Sequence, residues 1–356
     1  MEKLAAFYFV VPPCPIPQFT GSSVSSLSPA RSLDHVEIVE VGPRDGLQNE
    51  KTLVSTDVKM ELIHRLEDSG LRVIEATSFV SPKWVPQMAD APKILSRILS
   101  ESPKDHSPPR RYPVLVPNLK GLDAAMAAGA KEVAIFAAAS ESFSRRNTNC
   151  SIDESIDRFT QVIRKAKEHD IAVRGYVSCV LGCPYEGPVD PKVVKRLVEK
   201  LYSLGCFEIS LGDTIGTGTP GGMIRLLRTL QEEDSSSSSS SKVPLSALAV
   251  HCHDTYGQAL ANIHTALEYG IRVVDSAVGG LGGCPYAKGA TGNVATEDVI
   301  YMCQDMGLET GVDLPRLVET GQWISKTLGK SYESRAGRAL ATRWNDERKK
   351  QSASTS

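Results

Sequence analysis

The sequence predicts a (β/α)8 TIM barrel, an α/β fold with catalytic loops at the C-terminal ends of its strands. Two observations carry that expectation. From Val36 onward, short apolar runs alternate with amphipathic stretches through eight β-then-α units without a break, the pattern of a parallel sheet closed on itself. The residues able to bind metal or move protons fall at the ends of those runs, where barrel enzymes assemble their sites. An open doubly wound sheet is the alternative. It calls for a glycine-rich phosphate turn after its first strand, and here that turn reads Gly42-Pro43-Arg44-Asp45-Gly46.

In chain order, the expected strands are Val36–Val41, Val73–Thr77, Val114–Pro117, Val133–Phe136, Ala172–Ser178, Glu208–Leu211, Ala247–Val250 and Arg272–Val278. Each is a short, largely apolar run of the kind that is buried on both faces. Helical periodicity marks Val58–Asp68, Gly121–Ala128, Ile152–His169, Pro191–Leu204, Gly221–Gln231 and Gln258–Tyr269 between them. Arg44 and Asp45 follow the first strand and Glu75 closes the second. Asn118 follows the third, Tyr176 and Ser178 end the fifth, and Asp213-Thr214 ends the sixth. His251 and His253 end the seventh, and a glycine-rich loop with Cys284 and Asn293 follows the eighth. The irregular insertions Ser102–Tyr112 and Ser235–Ser241 both join a helix to the next strand, on the face away from the chemistry, and read as solvated loops.

Composition narrows the function classes. Hydrophobic content of 41% and charge of 23% suit a soluble globular protein, and a net charge of −2 gives no reason to expect nucleic acid or a membrane surface as partner. The eight cysteines do not form a small disulfide framework in a chain of 356 residues. Cys206, Cys252 and Cys303 sit within apolar stretches, as free thiols do in a reducing compartment. The division expected is a disordered or targeting segment at 1–33, a catalytic barrel at 34–328, and a polar basic tail at 329–356. Leu4 to Pro12 is apolar but too short to span a bilayer.

The segment His251-Cys252-His253-Asp254-Thr255-Tyr256-Gly257 is the most informative in the chain. Side chains two apart on a strand point to the same side, so the two imidazoles can converge on one ion. Asp45 offers a hard oxygen and Asn293 a neutral carbonyl oxygen. This mixed N/O set suits Mg²⁺ or Mn²⁺, with Zn²⁺ as the alternative, and the absence of thiolates argues against a closed structural zinc site. Arg44 beside Asp45 places a fixed cation where an oxyanion could be stabilised, although a purely structural ion pair is the other reading of that dipeptide.

Several of these segments resemble one family. Gly42-Pro43-Arg44-Asp45-Gly46-Leu47-Gln48-Asn49-Glu50, Ser78-Phe79-Val80-Ser81-Pro82-Lys83-Trp84-Val85-Pro86-Gln87, Arg174-Gly175-Tyr176-Val177-Ser178, Ser210-Leu211-Gly212-Asp213-Thr214-Ile215-Gly216, the His251 segment and Gly282-Gly283-Cys284-Pro285-Tyr286 all look like the 3-hydroxy-3-methylglutaryl-CoA lyase family. The likeness runs from about Val36 to about Leu328. It implies cleavage of 3-hydroxy-3-methylglutaryl-CoA to acetyl-CoA and acetoacetate, a step of leucine degradation and ketone-body formation. By the same resemblance Asp45, His251, His253 and Asn293 hold a divalent metal, Arg44 stabilises the enolate, and Cys284 on its glycine-rich loop moves the proton. Asp45 and His251 thereby serve catalysis as well, while Gln48, Glu75, Tyr176 and Thr214 orient Arg44 or contact substrate. The implied partner is a small-molecule acyl-CoA, and a homodimer is an admissible assembly. The family's usual location is the mitochondrial matrix, with the cytoplasm as the alternative, because residues 1–33 have weak transit-peptide character.

Two other readings compete. A related condensing enzyme that uses acetyl-CoA shares the metal site but lacks the Cys284 loop. A metal-dependent amidohydrolase barrel also uses His-x-His, but with the pair expected on the first strand, whereas here it lies on the seventh.

Overall fold

The computed structural model describes residues 34–101, 109–232, 242–283 and 292–354, with side chains described as far as Gln351. The expectations made for 1–33, for the serine run 235–241 and for Cys284 lie outside the described residues.

Nine strand segments build the sheet: β1 (Glu37–Glu40), β2 (Val73–Ile74), β3 (Thr77–Ser78), β4 (Val114–Leu115), β5 (Glu132–Ala138), β6 (Ala172–Ser178), β7 (Glu208–Asp213), β8 (Leu248–Cys252) and β9 (Val273–Ser276). All pairings are parallel, in the order β2-β1-β9-β8-β7-β6-β5-β4-β3. The two ends of that order are one stretch of chain. Glu75 N donates to Glu40 O (2.9 Å) on one side, while Ile74 N and Ala76 N donate to Arg111 O and Pro113 O (both 3.0 Å) on the other. The stretch is thus the single second strand expected from sequence, bonded alternately to both neighbours, and it closes the sheet into the eight-stave barrel. Closure removes the exposed edges that an open sheet would leave.

Helices cover the outside. Ile152–Glu168 shows how locally the sequence sets them. Ser151 Oγ accepts from Glu154 N (3.1 Å) and the Glu154 carboxylate accepts from Ser151 N (2.7 Å), a reciprocal cap on the first turn. Ile156, Phe159, Val162, Ile163 and Ala166 then form the buried face at helical spacing. Residues 329–356, expected as a polar basic tail, contain the helix Arg335–Ser354. Leu340 and Ala341 are buried in the main core, and Tyr332, Ser334 and Arg335 bond to Glu297, Asp298 and Asp254. With so few apolar residues facing inward, the stretch carries little sequence signal for packing.

The barrel interior is apolar at its walls and ionic along its axis. Arg174 on β6 is fully buried, 2.7 Å from Glu208 and 2.7 Å from Asp275. Its guanidinium stacks under the Tyr176 ring at 4.9 Å, and Arg44 lies over the same ring at 5.5 Å. This charged column leads from the middle of the barrel to the strand ends. At the opposite end, Arg111 pairs with Glu37 and Glu132, the first residues of β1 and β5, so the described part of the insertion before β4 lies away from the site, as expected.

Candidate metal centre and active site

The turn after β1 places the first two functional side chains. Arg44 N, Asp45 N and Gly46 N all converge on Val41 O, at 3.2, 2.7 and 3.1 Å. The tight turn Gly42–Gly46 points Arg44 inward and Asp45 toward β8. The Arg44 guanidinium is fixed by three bonds, to Glu75 Oε2 through Nε (2.9 Å) and Nη2 (2.6 Å) and to Asp45 Oδ1 through Nη1 (2.5 Å). Tyr176 OH also donates to Glu75 Oε2 (3.0 Å), and Gln48 Nε2 to Asp45 Oδ1 (2.6 Å). Burial raises the Glu75 carboxyl, and Arg44 offsets part of that rise.

Across the barrel, β8 runs two residues beyond the sequence expectation, so His251 lies within the strand and His253 directly after it. Their rings are 5.4 Å apart, and one ligand atom each from Asp45, His251 and His253 lies within 4.8 Å of the others. His251 Nδ1 sits 3.2 Å from Asp275 Oδ2, which turns Nε2 toward Asp45 Oδ2 at 3.9 Å. Asp275 is anchored by Arg174 and by the Ser210 hydroxyl (2.8 Å). A carboxylate behind an imidazole fixes its tautomer and orientation. Asp275 was not singled out in the sequence; a lone carboxylate in an otherwise apolar strand was the available signal.

Asn293 joins the group, its Nδ2 donating to Asp45 Oδ2 (2.9 Å) and to Leu281 O (3.2 Å). The Thr214 hydroxyl accepts from Cys179 N (2.9 Å), just after β6, and lies 3.4 Å from Gly212 O on β7. Gly283 and Gly292, which flank the segment containing Cys284, lie against one another: a Cβ on Gly292 would come 2.5 Å from Gly283 N.

The electrostatics favour a cation. Burial alone would raise Asp45, but Arg44, His251 and His253 overcome it and hold the carboxyl well below the usual range. His253 Nδ1 is buried without a hydrogen-bond partner. Burial, and next the facing His251, lower His253 from 6.5 to about 4, so the ring is neutral and one nitrogen keeps its lone pair at neutral pH. The sign of the linked stability follows. The unfolded chain takes up this proton near 6.5 and the folded chain only near 4, so falling pH favours unfolding across that window. Unfolding free energy measured against pH in metal-free protein should fall between about 6.5 and 4, and fall less in His253→Ala.

A closed parallel barrel with two imidazoles and a carboxylate converging at its strand ends is a fold and site of the metal-assisted barrel class. Comparison with known proteins narrows this. The HMGL-like family model matches residues 35–324, and the chain belongs to that family. It is 57% identical over 329 residues to the rat protein named 3-hydroxy-3-methylglutaryl-CoA lyase, cytoplasmic, covering 90% of this chain and 92% of that protein. It is 56% identical over 320 residues to the cattle protein named hydroxymethylglutaryl-CoA lyase, mitochondrial, covering 90% and 94%. The crystal structure of hydroxymethylglutaryl-CoA lyase from Pseudomonas aeruginosa superposes with a TM-score of 0.80 at 52% identity, covering 87% of this chain and 98% of that one. Among the described residues, no helix is long and apolar enough to cross a membrane.

Proposed function

We propose that this chain cleaves 3-hydroxy-3-methylglutaryl-CoA to acetyl-CoA and acetoacetate, with a divalent metal held by Asp45, His251, His253 and Asn293. The observation that carries the reading is the Arg44 guanidinium, locked by Glu75 beside the Asp45–His251–His253 group, in a chain of the HMGL-like family. The donors fit an ion: an anionic carboxylate, a buried imidazole with a free nitrogen, and a second imidazole oriented by Asp275. Mixed imidazole and oxygen donors without thiolate suit Mg²⁺ or Mn²⁺. When bound, such an ion supplies Lewis acidity toward substrate oxygens.

The chain's own residues supply the rest. As the tertiary hydroxyl loses its proton, C3 becomes the ketone of acetoacetate and the C2–C3 electron pair passes to C2 and the thioester oxygen. Arg44 meets that developing charge from a preorganised position, so little reorganisation is needed during the reaction. Glu75 and Tyr176 orient Arg44, and Gln48 steadies Asp45. The Cys284 thiolate takes the hydroxyl proton and the thiol returns one to C2, completing acetyl-CoA. Of the two locations in the relatives' names, the mitochondrial matrix is the one proposed here, to be checked by fractionation of cells expressing the full chain.

Acetoacetate release from the acyl-CoA by Mg²⁺-loaded protein, stopped by a chelator, tests this reading, and no release sinks it. Cys284→Ala should keep its metal and lose about 10²–10⁴-fold in rate. Loss of the metal as well would make Cys284 a ligand.

A further inference from the structure

Behind the site lie two buried carboxylates that the chemistry above does not use. Glu40, at the end of β1, accepts from Gly42 N (2.8 Å) and Val278 N (2.9 Å) through Oε1, and from the Thr296 hydroxyl (2.6 Å) through Oε2. Glu297, at the start of the helix Thr296–Asp305, accepts from Gly279 N through both oxygens (3.0 and 2.9 Å) and from Tyr332 OH (3.0 Å). Neither has a cationic partner among the described residues. Burial, the largest influence on each, lifts Glu40 to about 7 and Glu297 to about 8. Burying such groups uncompensated is costly. The surroundings are shaped for them. A Cβ on Gly42 would meet Glu40 Oε1 at 2.5 Å, and one on Gly321 would run into both Glu297 and Tyr332.

The bonds form a closed circuit through the proposed metal group. Gly42 opens the turn that carries Asp45, and Val278 opens the turn that runs through Gly279 to Leu281. Leu281 O accepts from Asn293 Nδ2, which also donates to Asp45. We propose that Glu40 and Glu297 are positioning residues: Glu40 locks the Gly42–Gly46 turn to the Val278–Leu281 turn, Glu297 holds the second turn at Gly279, and together they fix Asp45 against Asn293. The claim rests on the metal reading above and extends it to residues that touch neither ion nor substrate. It also gives the C-terminal segment a role, because Tyr332 supports Glu297.

The test is Mn²⁺ affinity by calorimetry on the metal-free full chain, alongside kcat and KM for the acyl-CoA. Partners behind metal ligands are typically worth about 10–100-fold in affinity or activity. Glu40→Ala should weaken Mn²⁺ binding by about that factor and lower kcat, with KM within a few-fold. Glu40→Gln should restore both, because one carbonyl oxygen suffices for the Gly42 and Val278 N–H groups. Folded Glu40→Ala binding Mn²⁺ as tightly as wild type overturns the proposal, and so does a Gln variant as impaired as Ala. If Glu40→Ala does not fold, Tyr332→Phe, which deletes one hydroxyl, must still weaken Mn²⁺ binding; unchanged affinity there overturns it equally. Wild-type protein that binds Mn²⁺ but releases no acetoacetate would refute the function reading and leave the positioning claim to be judged on affinity alone.

Discussion

Arg44→Gln should lower kcat by about 10²–10³-fold, the usual cost of removing one preorganised donor from an oxyanion site, while KM stays within a few-fold. Three bonds hold the guanidinium still, two to Glu75 and one to Asp45, so it is in place before charge develops on the thioester oxygen. An interaction stronger in the transition state than in the ground state appears in kcat and hardly in KM. Gln keeps a donor but loses the charge and the forked geometry. It also leaves Glu75, whose Oε1 already lacks a hydrogen-bond partner, without its cation. Some loss of stability should accompany the loss of rate, so unfolding must be followed in parallel. A steep rise in KM at unchanged kcat would instead make Arg44 a ground-state anchor for substrate.

His253→Ala should remove the metal. Of the three groups that converge, His253 is the one with a buried ring nitrogen that bonds to nothing. Deleting it takes away a donor without breaking a hydrogen bond, so the fold should survive. Even partners one step removed from an ion are worth about 10–100-fold in affinity or activity, and loss of a ligand should exceed that. Elemental analysis should show metal far below one ion per chain, with turnover reduced at least in proportion and an unchanged circular dichroism spectrum. Unaltered stoichiometry and rate would remove His253 from the site.

How much of this was legible in sequence depends on the range over which each feature is encoded. The strands were readable because a parallel sheet covered on both faces is written as short apolar runs, and β8, with all five residues buried, is such a run. The His251–His253 pair was readable because a spacing of two puts both side chains on one side of a strand. Asp275 and Arg174 are 101 residues apart, and Asn293 and Asp45 are 248 apart. No local pattern joins them; Asp45 and Asn293 were set beside the two imidazoles by their place after strand ends and by the resemblance. Glu40 and Glu297 look like any charged residue at a strand or helix end, and only the closed barrel shows that water cannot reach them.

The most direct test is product analysis of a reaction run in D₂O with Mg²⁺-loaded protein and 3-hydroxy-3-methylglutaryl-CoA. Breakage of the C2–C3 bond followed by protonation at C2 should give acetoacetate and acetyl-CoA in equal amounts, with one solvent deuterium in the acetyl methyl group. Release of free CoA with the six-carbon acid intact would mean thioester hydrolysis. That result, or no product from protein holding one metal ion per chain, would contradict the assignment of these residues to carbon–carbon cleavage.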